Sequence, residues 1–408
     1  MGEKVTKTKK VLIAASVFPP EPIVSANLMA DLAEALSEYY EVTVLRPHPT
    51  RPKGFKMPDY SNGNLPYKVV EMDTYTCPES SVKGRFKESI SMGKVYANYI
   101  NKHASEIDFI YNDAWHLFGY NKVARAAVKN GIPYVVTVQD IYPESLASKI
   151  PNIPLLKWIV MKVLGPIDHY TQSHAAKIHT ISDKMVETLS STRKLPKEKY
   201  VIVRNWQDER PFLAYKSDAS EEKPFTFMYC GNVGPLAGIE VLIDGFVKAQ
   251  IAGSRLVIAG AGSARESLKE YASKQTGHAI EFWDVPSGKV PEVQAQSDVM
   301  VLPVKKGFAM SSIPSKLPAY MFSGKPVLGS VDLASDTAKC VVDSGCGWVV
   351  EPEDSDLLAS QMKAVADLNN QELEEKGLQG RKYAIDVFSR KTNLGILVNA
   401  CNEIINKK

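Results

Sequence analysis

The residues of this chain best placed to do chemistry are small hydroxyls, glycines and a lysine that stand just after apolar runs. In SSIPSKLPAYMFSGKPVLGS (311–330), Ser311 and Ser312 can donate hydroxyl hydrogen bonds, a helix is predicted to begin near Ser315, and Lys316 adds a positive charge. Backbone donors at a helix start give an anion direction, and an ammonium gives it Coulomb strength. The same residues also read as a serine N-cap followed by a solvated lysine. Two further turns lie upstream. YCGNVGPLAGIEVL (229–242) runs from an apolar stretch into Gly231, Asn232 and Gly234 and then a helical pattern, and IAGAGSARESL (258–268) has a short turn at Gly260. Glycines let a backbone approach a phosphate closely, although neither turn is a GxGxxG or a P-loop. Their convergence in the rear half of the chain points to a diphosphate ligand.

A second set is acidic. VTVQDIYPESL (136–146) places Asp140 at the end of an apolar strand pattern and Glu144 one turn later. Burial beside apolar neighbours raises a carboxyl pKa toward the range of a general base. Capping of the next helix is the alternative. YNDAWHLFGY (111–120) puts Asp113 and His116 in the equivalent loop of the preceding unit, where a histidine can equally be a satisfied loop residue. FPPEPIVSANLMADL (18–32), rich in proline and without glycine, reads either as a stiff turn into a helix or as a loop lining the site.

These side chains need strands that end where they stand. KKVLIAASVF, EVTVLRP, DFIYND, IPYVVTVQD, KIHTISD and YVIVRNW are apolar strand patterns. Helical patterns such as SANLMADLAEALSEYY, with Leu28, Leu32, Ala35 and Leu36 at helical spacing, alternate with them. Short continuous apolar strands separated by helices predict parallel sheets covered on both faces. After the polar stretch 215–224 a second cycle starts, with FTFMYCGN, SRLVIAGAG, AIEFWDV, DVMVLPV, KPVLGSV and GWVVEP. The predicted fold class is α/β, with two Rossmann-like doubly wound domains facing a cleft. The domains are residues 1–210 and 211–389, and the last helix, about 390–408, is free to fold back on the first. In such sheets ligands sit outside the carboxyl ends of the strands.

A chain of 408 residues is long for one core, and 44% hydrophobic with 23% charged residues suits a globular protein. The net charge of +3 hides an asymmetry, because residues 1–204 carry 27 Lys and Arg against 20 Asp and Glu. A basic front half suits an anionic surface or substrate, while nucleic acid would want a denser stripe. Five cysteines with no CxxC and no histidine at ligand spacing fit a reducing cytoplasm and offer no metal site. The apolar run VLIAASVF is cut off by Pro19 and Pro20 and reads as a first strand rather than a signal peptide. No apolar run approaches the roughly 18 residues of a membrane span. IPNIPLLKWIVMKVLGPIDHY (150–170) sets Leu155, Leu156, Trp158, Ile159, Met161 and Val163 beside Lys157 and Lys162. That is the pattern of a core helix or of one lying in a membrane interface.

Taken in order, FPPEP, LAEAL, EVTVLRPHPTRPKG, VQDIYPESL, VRNW, YCGNVGPLAGIEVLIDGF, AGAG, SSIPSKLPAYMFSGKPV and GWVVEPED resemble the family 4 glycosyltransferases of the GT-B type. The likeness covers nearly the whole chain and is nearest to the bacterial capsular and surface-polysaccharide branch that includes fucosamine transferases. It implies transfer of a hexosyl or N-acetylhexosaminyl group from a UDP-linked sugar, with no metal, no cofactor and retention of configuration. The implied acceptor is a glycan on a polyprenyl diphosphate at the cytoplasmic face of the membrane. The rear domain would hold the donor through Gly231, Asn232, Gly234, Gly260, Ser311, Ser312 and Lys316. The front domain would hold the acceptor, with Asp140, Glu144, Asp113 and His116 orienting or deprotonating it.

The chain departs from the family at telling positions. Much of the family has two glutamates eight positions apart before a GxPV segment, and Ser311 and Ala319 stand there. The Arg and Lys that usually follow the first donor-domain strand correspond to Asn232 and Ala237, and the active-site histidine of many relatives aligns near Asp113. Ser311, Ser312 and Lys316 are then the substitutes at the diphosphate. A nucleotide-sugar 2-epimerase shares the architecture, and a non-catalytic nucleotide- or glycan-binding scaffold is a further alternative. A nicotinamide oxidoreductase is disfavoured, because no GxGxxG with a downstream acid opens either domain.

Overall fold

Each half of the chain is a parallel sheet wrapped by helices. The computed structural model describes residues 9–407, with 52, 59, 61–64, 80, 115–116, 150–152, 216–222 and 310–312 excepted. The chain divides into two units, residues 1–205 with 393–408, and residues 206–392.

The first unit holds β1 (Lys10–Ala15), β2 (Glu41–Pro47), β3 (Lys68–Met72), β4 (Phe109–Asp113), β5 (Tyr134–Val138), β6 (Lys177–Thr180) and β7 (Tyr200–Ile202). Their order is β3-β2-β1-β4-β5-β6-β7, all parallel. Val11–Ala15 and all of β4 and β5 are buried, as continuous apolar strands covered on both faces must be. β3 sits at the edge and exposes Lys68 and Glu71, so its sequence lacks the apolar run that marks the others.

Polar groups inside this sheet are paired. His179 Nε2 lies 3.0 Å from the carbonyl of Val203, so that nitrogen carries the proton and Nδ1 accepts from Tyr111 Oη at 2.6 Å. Tyr111 in turn accepts from Thr137 (3.0 Å). Burial pushes His179 down to about 4, which keeps the imidazole neutral and the chain of bonds intact near neutral pH. Tyr40 donates to Asn402 Oδ1 (2.6 Å), tying the segment 393–408 into this unit.

The second unit holds β8 (Phe225–Cys230), β9 (Ser254–Ala259), β10 (Ile280–Trp283), β11 (Val299–Pro303), β12 (Val327–Ser330) and β13 (Gly347–Val350). The order β10-β9-β8-β11-β12-β13 repeats the plan of the first sheet. Strand order therefore reverses between β1 and β4 and again between β8 and β11. Loops leaving the carboxyl ends at such a reversal diverge to opposite faces and open a crevice. All five cysteines are buried, and none is joined in a disulfide. Among the described residues no helix is long and apolar enough to cross a membrane.

Candidate functional site

The loops after β8 and β9 are joined backbone to backbone. Gly231 N donates to Ala259 O (2.9 Å), and Val233 N donates to Ala261 O (2.9 Å). The approach leaves no room for a side chain. A Cβ on Gly260 would stand 2.1 Å from Gly231 O, and Gly260 has φ +130°. Gly260→Ala is therefore expected to cost roughly 2 kcal/mol or more of stability in denaturant unfolding. A cost below about 0.5 kcal/mol would mean the loops can separate.

Lys316 lies across this pair of turns. A Cβ on Gly231 would come 2.3 Å from Lys316 Cε, so the glycine leaves the space the lysine stem occupies. The lysine opens the helix Lys316–Phe322, which Tyr320 fastens to the end of β8. Tyr320 Oη donates to Cys230 O (2.9 Å) and accepts from Cys230 N (3.0 Å). The Lys316 ammonium stands 5.7 Å from the centre of the Tyr229 ring. Burial holds its pKa below the ordinary lysine value, with Cys230 partly offsetting that. A half-desolvated ammonium gains more from an anionic ligand than a solvated one.

Gly231, Asn232, Gly260 and Lys316 line one cavity of about 370 Å³. Ser315, Ala319, Gln207 and Gln294 share its walls. Gln207 directly follows the strand pattern YVIVRNW and carried that signal, whereas Gln294, inside the short helix Val290–Ala295, follows neither a strand nor a glycine pattern. Ala319, at one of the family's glutamate positions, lines the same space. Gly234 is not among the lining residues, and Ser311 and Ser312 fall outside the described residues. Gly231→Ala should displace the flexible end of Lys316 rather than backbone. Because Gly231 also has φ +158°, where an L side chain is strained, the variant is expected to cost about 1 to 3 kcal/mol of stability while weakening nucleotide binding at least about tenfold. Calorimetry with UDP checks this, and undiminished affinity would contradict the placement of Lys316.

At the reversal of the front sheet, a smaller cavity of about 110 Å³ is lined by Ser16, Ser25, Asp113, Tyr120, Gln139 and Asp140, among others. Asp113 ends β4, and Ser16 N donates to its carbonyl (3.0 Å). Burial raises the Asp113 carboxyl to about 7, with a hydrogen bond from the Ser16 side chain opposing. The group thus changes charge near neutral pH while facing a cavity. Asp140 joins it there, as the apolar strand before it would suggest. Glu144 does not. Its carboxylate receives Arg193 through both terminal nitrogens, one contact at 2.8 Å, and Arg193 also holds Tyr142 O (2.5 Å) and Asp168 (2.7 Å). Glu144 thereby fixes the loop that carries Asp140 and Tyr142. His116 lies outside the described residues. Among those described, no cluster of three His, Cys, Asp or Glu side chains is arranged to hold a metal ion.

Comparison with known proteins bears on the fold that carries these residues. Residues 26–206 match the family described as "Glycosyl transferase 4-like domain", and residues 224–367 match "Glycosyl transferases group 1". A Pseudomonas aeruginosa protein named "Probable glycosyltransferase WbjE" is 24% identical over 255 residues, 59% of this chain and 61% of that protein. The match thus spans less than two thirds of that relative's length. Among solved structures, Anabaena Alr3699/HepE in complex with UDP superposes with a TM-score of 0.65 at 13% identity, covering 97% of this chain and 100% of that one. A glycosyltransferase from Rickettsia africae ESF-5 gives 0.66 at 14% identity, covering 99% and 100%. At these identities the likeness shows the fold, which is the two-Rossmann GT-B fold.

Proposed function

From a chain that carries a glycosyl transferase 4-like domain followed by a group 1 glycosyl transferase domain, we propose that it moves a sugar from a UDP-linked donor to a glycan acceptor. The observation that carries this reading is the lysine laid over a glycine at the meeting of two strand-end turns. Lys316 and the backbone donors around Gly231, Asn232 and Gly260 bind the diphosphate and take up its charge as the sugar leaves. Asp113 and Asp140 face the acceptor, and Asp113 holds or receives the proton of the attacking hydroxyl. The UDP complexes of structurally similar proteins support the choice of donor. The reaction is metal-independent, because the ammonium and backbone supply the positive charge, and we place it in the retaining class.

The acceptor in this reading is a glycan on a polyprenyl diphosphate, and the product a surface polysaccharide. Support comes from the helix Pro154–His174. Leu155 is 66% exposed, and Trp158 and Val163 are each 59% exposed. At 100° per residue Leu155, Trp158, Ile159 and Val163 fall on one face, with Lys162 among them. A tryptophan and aliphatic side chains beside lysines suit the headgroup boundary of an anionic bilayer on its cytoplasmic side. Trp158→Glu with Val163→Glu is expected to reduce co-sedimentation with phosphatidylglycerol vesicles at least about tenfold. Unchanged sedimentation would remove the membrane from this account.

The function itself is tested by incubating the protein with a panel of nucleotide sugars and a polyprenyl-diphosphate-linked glycan, reading released UDP or GDP. Acceptor-dependent release of UDP is expected. No nucleotide release with any pair would sink the proposal, and isomerised donor without release would point to the epimerase.

A further inference from the structure

A cavity larger than the one under Lys316 opens elsewhere in the rear unit. It has a volume of about 610 Å³ and opens beside Asp298, which immediately precedes β11, and Pro326, which immediately precedes β12. It therefore lies at the amino ends of the strands, whereas the Lys316 cavity lies at the carboxyl ends of β8 and β9. Phe212, Leu373 and Leu378 give it an apolar wall, and Lys325 and Arg381 give it charge.

The two cations carry the inference. Lys325 Nζ donates to Ser297 O (2.6 Å), its one acceptor among the described residues, which leaves donor capacity on an ammonium with three hydrogens. Arg381 donates through Nε to Phe322 O (2.9 Å) and through Nη2 to Ser323 O (2.9 Å). These carbonyls close the helix before Gly324, so Arg381 is held in place by backbone and, among the described residues, not by a carboxylate. Of the two acids that line the cavity, Asp298 already receives Lys223 (3.0 Å) and Thr226 N (2.7 Å). Glu374 is exposed on the surface of its helix. Burial lowers Lys325 to about 8, Lys223 and Arg381 add repulsion, and Asp298 offsets only part of this. Half-buried cations of like sign facing one cavity are costly unless an anion joins them.

We propose that this cavity is a second ligand site, taking a small organic anion whose acid sits on Lys325 and Arg381 and whose apolar body lies against Phe212 and Leu378. A carboxylate and a phosphate monoester share that chemistry. The site stands independently of the donor reading, since it uses none of the residues around Lys316.

Phenyl phosphate is the probe, with benzoate as the second arm, each titrated into the full chain by calorimetry. A ligand of this size is expected to bind with a dissociation constant on the order of 1 mM or below. Lys325→Met should weaken binding at least about tenfold, the effect of losing a charge-assisted bond. Leu378→Trp, at a half-exposed position on the cavity wall, should weaken it as well without lowering the melting temperature, which separates blockage from misfolding. Lys316→Ala should leave affinity unchanged. If benzoate binds more tightly than phenyl phosphate, the natural ligand is a carboxylate, and the reverse order makes it a phosphate ester. Absence of saturable binding of either probe would overturn the proposal. So would binding abolished by Lys316→Ala but indifferent to Lys325→Met and Leu378→Trp.

Discussion

Replacing Lys316 with alanine is expected to slow nucleotide-sugar turnover by about 100-fold or more, while the melting temperature stays where it was or rises. Both halves follow from the same burial. The ammonium stands above Gly231 with its pKa held down by desolvation, so in the unliganded protein it is a charge kept at some cost. Removing it relieves that cost. When the sugar leaves a nucleotide, negative charge grows on the diphosphate, and a fixed cation in a partly dry site stabilises that growth far more than water does. Loss of one such group typically costs about 10²- to 10³-fold in kcat. The effect should appear in kcat as well as KM, since the charge develops in the transition state. Turnover within about threefold of the unmodified protein would mean that some other group takes the charge.

Asp113→Asn is expected to be nearly as damaging, with kcat/KM down by about 10²-fold or more, the usual scale for a positioned acid–base group. In the proposed reaction the unmodified protein should gain activity as pH rises through about 7, because an Asp113 carboxylate able to receive a proton exists only above that point. The variant should lose that inflection. Stability moves oppositely. Burial raises the Asp113 pKa, so its contribution to stability is fully present below the ordinary aspartate range and is lost as pH rises through about 7. Asparagine cannot ionise. The variant should therefore melt higher than the unmodified protein at pH 8 and nearly level with it at pH 4. A variant that keeps the inflection near 7 would assign the titration to another group.

The fold was legible because its signals are local. KVLIAA, FIYND and YVVTV are apolar runs too short for helices, and each is bounded by turn residues, so strand and helix alternate visibly. The edge strand Lys68–Met72 was not legible, since a strand half open to water needs no apolar run. The site divides the same way. Gly231, Gly260 and Asp140 could be found because each follows a strand pattern, and Lys316 because it opens a short helix after small hydroxyls. Glu144 looked like a second carboxylate for the site until Arg193, 49 positions away, took it up. Partners so distant are set by packing, and periodicity carries no trace of them. Gln294 and the pairing of Lys325 with Arg381 around one cavity are hidden for the same reason, while Gln207 stood directly after the strand pattern YVIVRNW.

The most direct measurement is a crystal structure with UDP bound. The diphosphate should lie over Gly231, with a phosphate oxygen about 3 Å from Lys316 Nζ and backbone N–H groups of the two strand-end turns pointing at it. A nucleotide seated elsewhere, with Lys316 in the position it holds here and no contact to phosphate, would contradict the account.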